Sequence, residues 1–271
     1  MADYPCYLDL AALKSALTLT DTMDDTRLLD GLLDVSAFID QHCGQRFTAH
    51  TATRTFTAVA SDHLLLPYPL LSVTTLKTDD DADWDYDSTW ATSDYHLAPF
   101  NVFPKWRILT KSGGAYSFPS QEEGVQIAGL WGFGDGESAT PYAASGATVT
   151  VATTTGTSIT ASSGAAFAVG QTILAGTEQM FITGIVTNTL TVVRNVNGTT
   201  ATVHAAAAAS IYRYPRPVRR ACLLLAEQMY RMEAAPLGVS GSADMAYETL
   251  NPAQQRLILH WLAPFRSLSC G

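Results

Sequence analysis

The densest group of side chains able to do chemistry is Asp79-Asp80-Asp81-Ala82-Asp83-Trp84-Asp85-Tyr86-Asp87. Asp79, Asp81 and Asp83 stand at the first three alternate ligand positions of an EF-hand calcium loop. The sixth position, which needs Gly for its sharp turn, is Trp84, and the twelfth, which needs a bidentate Glu, is Trp90. The run therefore reads as a solvated hairpin tip, and no metal-binding residue is assigned.

Other signatures fail on spacing. Gly132, Gly134 and Gly136 follow a strand-like run, but no helix pattern follows, nor a Lys or Ser/Thr where a phosphate loop needs one. Gly238-Val239-Ser240-Gly241-Ser242 misses a nucleophile elbow by one residue. The histidines at 42, 50, 63, 96, 204 and 260 are scattered, with no i,i+4 pair. Cys6, Cys43, Cys222 and Cys270 lie far apart, which fits neither a disulfide framework nor a zinc site and suits a reducing compartment. No catalytic or cofactor-binding residue is assigned, no cofactor is expected, and the chain is not expected to be an enzyme.

The elements that carry these residues follow from periodicity. Leu28, Leu32, Val35, Ile39 and Cys43 form one stripe of a helix, with Thr20 or Asp21 as its cap, Asp24 and Asp25 in its first turn and Gly44 after its end. After Phe47 come short strand patterns: Thr53–Thr57, Leu64–Val73, Tyr95–Leu97, Arg107–Leu109 and Val125–Trp131. Pro67 and Pro69 confine the second of these to an edge or a turn. Residues 140–212 read as all β, with runs at Ala147–Val151, Gln171–Leu174, Gln179–Ile185 and Thr189–Val193 punctuated by Gly and Asn-Gly. Pro217 then opens a helix with the stripe Val218, Cys222, Leu225, Met229 and Met232, stopped by Pro236. Asn251 and Pro252 start a last short helix through Leu257, Ile258, Trp261 and Leu262.

Charge divides the chain the same way. Residues 1–139 carry 20 acids and 8 bases, residues 140–212 only Glu178 and Arg194, and residues 213–271 carry 4 acids and 7 bases. The fold class expected is α+β: a host domain of residues 1–139 and 213–271, with terminal helices and a β section, and a small all-β domain inserted at 140–212. The net charge of -9 argues against a protein that grips nucleic acid by neutralising phosphates. No run of 18 apolar residues offers a membrane span, and the N-terminal residues form no secretory signal.

Several segments together resemble the head-to-tail connector, or adaptor, proteins of long-tailed bacteriophages. They are Ala37–Phe47 with the following Arg54-Thr55-Phe56, the stretch Leu66–Asp80, Gly129-Leu130-Trp131-Gly132-Phe133-Gly134, and Pro217 through Arg219-Arg220-Ala221 to Val239, closing with Leu262–Arg266. The middle segment is similar to a β module of phage virion proteins through Ile173, Leu174, Glu178, Met180, Leu190–Arg194, Asn197–Thr200 and His204, departing at Asn195, where a glycine is expected. The resemblance implies a structural virion protein in the neck, assembled in the host bacterial cytoplasm: a homo-oligomeric ring, dodecameric in expectation, beneath the portal protein and above a stopper or tail protein. Double-stranded DNA would pass through its lumen without specific binding, and an acidic wall would let the phosphates slide. It further implies that Trp261, Phe265, Arg266, Ser267 and Leu268 contact the portal, aromatic and Arg side chains being common interface anchors. The alternatives are another neck component, such as a stopper or tail terminator, and a carbohydrate-binding or adhesive virion protein.

Overall fold

A computed structural model describes residues 6–234 and 252–266. The expected helix stop at Pro236, the Asn251 start and the candidate residues Ser267 and Leu268 lie outside the described residues. The fold is mixed α+β, as expected, and it contains a closed six-stranded barrel.

Helix α1 (Leu10–Leu17) begins at Asp9, whose Oδ1 accepts the Ala12 N–H at 2.9 Å. Helix α2 (Asp25–Cys43) buries the expected stripe of Leu28, Leu32, Val35, Ile39 and Cys43. Gly44 closes it with φ 66° and its N–H on Asp40 O, which a residue with a Cβ adopts at a cost. The expected caps Thr20 and Asp21 are corrected: the N-cap is Asp24. Asp21 spends its carboxylate on the Met23 N–H in the preceding turn, and Asp24 accepts the Tyr230 hydroxyl at 2.9 Å.

Residues 47–141 form one compact unit around an antiparallel sheet. Its strands are β1 (Ala49–Phe56), β2 (His63–Thr78), β3 (Ser88–Trp90), β4 (Tyr95–Ala98), β5 (Lys105–Thr110) and β6 (Val125–Gly132). The order is β1-β6-β2-β5-β4, with β3 also on β2. The reading of 64–73 as an edge is therefore wrong: β2 is central. It pairs with β5 through Leu65, shifts register, and pairs with β6 from Leu70 onward. Pro67 and Pro69 fall in that shift, where no ladder hydrogen bond needs their missing N–H. Leu70, Leu76, Ile108, Ile127 and Trp131 fill the core of this unit.

The barrel comprises β7 (Tyr142–Val151), β8 (Ser158–Ala161), β9 (Thr172–Ala175), β10 (Glu178–Val186), β11 (Thr189–Val193) and β12 (His204–Tyr212), closed in the order β7-β8-β11-β10-β9-β12. Its interior is Val149, Val151, Ile159, Ile173, Met180, Ile182, Leu190 and Val192, the inward half of each alternation. Then follow α3 (Arg216–Ala234), α4 (Pro252–Leu262) and a 3-10 turn, Ala263–Phe265.

The compact units divide differently from the expected host and insert. The helices group with the barrel, as residues 1–46 and 142–271. A ladder of tyrosines links the two. Tyr7 meets Tyr214 edge-on at 4.9 Å, Tyr214 meets Tyr212 at 4.6 Å, and Tyr212 meets Tyr142 at 5.3 Å. Tyr7 hydrogen-bonds Asp40 and Ser36 of α2, Tyr214 reaches Thr172 of β9, and Leu10 N donates to Val169 O at 2.9 Å. Barrel and helices thus share polar and aromatic contacts that a tethered bead would lack.

Helix α3 packs on α1, α2 and α4. Its buried line is Val218, Ala221, Cys222 and Ala226, while Leu225 is half-buried and Met232 exposed. The stripe expected from apolar type alone is shifted toward the smaller residues, which let α2 approach; Ser36 Oγ lies 3.6 Å from Cys222 Sγ. Leu32→Ala should accordingly cost about 2–5 kcal/mol and Leu225→Ala under about 1.5 kcal/mol in urea unfolding. Equal losses would show that the burial order along this interface is misassigned. No helix among the described residues is long and apolar enough to cross a membrane.

Candidate functional site

The expected portal-contact residues end α4. Ile258 and Leu262 are buried, so one face of this helix is committed to the fold. Trp261 and Phe265 are half-buried and Arg266 is exposed. The segment is tied down: the Gln45 side chain donates to the Phe265 carbonyl, just past the end of α2. Burial, with Asp40 nearby, pushes the Cys43 thiol up to about 11 against the opposing pull of the Arg266 guanidinium. Trp261, Phe265 and Arg266 therefore stand on an anchored segment, with the Arg266 side chain exposed. Trp261 and Phe265 each keep part of their surface exposed.

The aspartate run closes the β2–β3 turn. Carboxylate oxygens of Asp79, Asp81 and Asp83 lie within 4.8 Å of one another. Asp79 is buried and its carboxylate accepts the N–H groups of Ala82 at 2.8 Å and Trp84 at 2.9 Å. Burial works to raise its pKa, but the N–H groups of Trp84, Ala82, Asp81 and Asp83 outweigh that and hold it low. Asp79 thus organises the turn as an internal acceptor. Gln121 Nε2 donates to Asp79 O, and Tyr86 Oη to Glu123 O at 2.9 Å, pinning the turn to the 121–123 segment at two points. Asp81, Asp83, Asp85 and Asp87 are left exposed. Asp81 is raised first by the charge of Asp83, then by burial and by the other acids. The turn carries negative charge that its own fold does not neutralise.

The barrel holds a polar cluster that spacing gave no means of assembling. Glu178 is fully buried on β10. Arg194 grips it with Nε to Oε1 at 2.6 Å and Nη2 to Oε2 at 2.7 Å. Its remaining N–H groups reach the carbonyls of Thr153, Gly156 and Thr202 at 2.9, 3.0 and 2.7 Å. All five guanidinium donors are used. Glu178 also accepts the N–H of Thr202 at 3.0 Å and of Asn195 at 3.3 Å, and His204 Nε2 lies 3.0 Å from Oε2. Burial alone would raise the Glu178 pKa; Arg194, Thr202 and His204 together bring it below the ordinary value. Asn195, where a glycine was expected, takes the left-handed conformation (φ 48°) that aims its N–H at this carboxylate. A saturated cluster of this kind holds a barrel shut. Its guanidinium has no donor left for a substrate.

A small cleft between α1, α2 and α3, with room for about 20 Å³, is lined by Leu13, Arg27, Leu28, Gly31, Ala226, Met229 and Tyr230. Ligand sites generally exceed about 300 Å³ and converge several polar groups; here the Tyr230 hydroxyl is already bound to Asp24. Compared with known proteins, the chain matches no family model and no curated protein.

Proposed function

We propose that the chain is a structural virion protein, a ring-forming head-to-tail adaptor that seats beneath a portal and leaves a passage for DNA. One observation carries the reading: the segments that resemble the connector family, far apart in sequence, are neighbours within each compact unit. In the sheet, Arg54–Phe56, Gly129–Gly132 and Leu70–Lys77 lie on the adjacent strands β1, β6 and β2. In the helical unit, the end of α2 meets the Leu262–Arg266 segment through Gln45. The acidic balance agrees with a wall that repels phosphates.

A native mass of about twelve copies is expected for the purified chain. With the portal, Arg266→Glu is expected to weaken binding more than about tenfold, because reversing a rim charge sets like against like, with the melting temperature unchanged. Normal binding by this variant would place the docking surface elsewhere, and a monomer at every concentration would overturn the ring.

A further inference from the structure

Helix α3 opens against its own electrostatics. Arg216, Arg219 and Arg220 are exposed in its first turns, with Arg213 just before them, and no acid stands in the first turn. The helix dipole disfavours cations at this end, and Arg216 and Arg220 repel as an i,i+4 pair. Arg219 and Arg220 have no ion-pair partner among the described residues. The opposite defect sits on the β2–β3 turn, where five exposed aspartates, Asp80, Asp81, Asp83, Asp85 and Asp87, crowd a tip held rigid by Asp79. Trp84, 64% exposed with φ 71°, stands among them, an aromatic face that a guanidinium can stack on.

We propose that Arg219 and Arg220 of one copy receive the Asp81–Asp87 turn of a second copy, so that copies join head to tail. Two different patches of opposite charge meet, which makes the contact heterologous, and repeated application closes a ring if the rotation permits. The turn is preorganised, so little conformational entropy is lost on docking. The inference rests on the ring reading above and names its lateral surfaces.

The test is native mass and sedimentation of the full chain at low and high salt. The R219E/R220E and D81K/D83K variants are expected to raise the association midpoint more than about tenfold, like-charge contacts costing several kcal/mol. The variant carrying all four changes should reassemble, because complementarity is restored with the signs exchanged. Arg219→Gln with Arg220→Gln serves as the neutral control, and circular-dichroism melts should match wild type. If wild type assembles and the reversals leave its mass unchanged, or the fourfold variant stays dispersed, this interface is wrong while the ring stands. A wild-type chain that never assembles sinks both readings. If R219E/R220E instead loses binding to a duplex DNA fragment with self-association intact, the arginines face nucleic acid and the proposal is overturned.

Discussion

Arg194→Met is expected to cost the barrel about 3–5 kcal/mol, the range for stripping one partner from a buried ion pair. Glu178 would be left as an uncompensated charge with full burial, holding only the N–H groups of Thr202 and Asn195 and the imidazole of His204. The double variant Glu178→Leu, Arg194→Met should recover much of that loss, since no charge is then buried. Acid separates the two cases. Glu178 titrates below its ordinary 4.5 in the folded chain, so its contribution is complete above that pH and fades as the pH falls through the depressed value. Without Arg194 the carboxyl is raised by burial, and protonation relieves it, so the variant should gain on wild type as the solution is acidified. Urea midpoints at neutral and acid pH measure both effects. A loss under about 1 kcal/mol at neutral pH would mean that water or rearrangement satisfies Glu178.

Gly132→Ala is expected to unfold the sheet unit or to cost about 3 kcal/mol or more, combining backbone strain with overpacking. Gly132 has φ 133°, and a Cβ there would stand 2.0 Å from Thr48 O and 2.6 Å from Ala49 Cα. Both obstacles are backbone in the paired strand, so no rotamer change relieves them. Gly134→Ala is the comparison, since its Cβ would meet only Pro141 at 3.1 Å. Similar melting temperatures for the two variants would show that β1 can separate from β6 without loss.

The helices were legible because apolar residues at helical spacing have one burial solution each, as Leu28 to Cys43 illustrates. Strands with β-branched alternation were legible too. The strand β12 was not: its His204–Tyr212 sequence is mostly Ala, which by propensity favours helix. It is extended because it closes the barrel between β7 and β9, and Ala206 absorbs the register shift with φ 55°. β3 was lost for its three-residue length. The aromatic link between barrel and helices was hidden because it runs through Tyr7, Tyr142, Tyr212 and Tyr214, whose spacing carries no period. At the candidate site, charge and aromatic type pointed to Trp261, Phe265 and Arg266, but the anchoring of Phe265 by Gln45 is a tertiary contact. The partnership of Glu178, Arg194 and His204 was visible only as three polar residues in a nearly uncharged segment.

The barrel begins and ends on neighbouring strands, with Tyr142 opposite Tyr212. The sheet does the same, with Ala49 opposite Gly132. Each module therefore hands the chain back one strand spacing from where it received it, about 5 Å. For α2 and α3, which flank both modules in the sequence, this changes the search problem. A disordered connection costs more closure entropy as it lengthens, though slowly. A folded module with paired ends counts only as its width. The helices can wait until both modules have closed and then meet across what is effectively a short linker. The folding rate should then track the β modules, whose pairings are the non-local ones, and lengthening an exposed turn such as 112–115 should leave the helix-docking step unchanged.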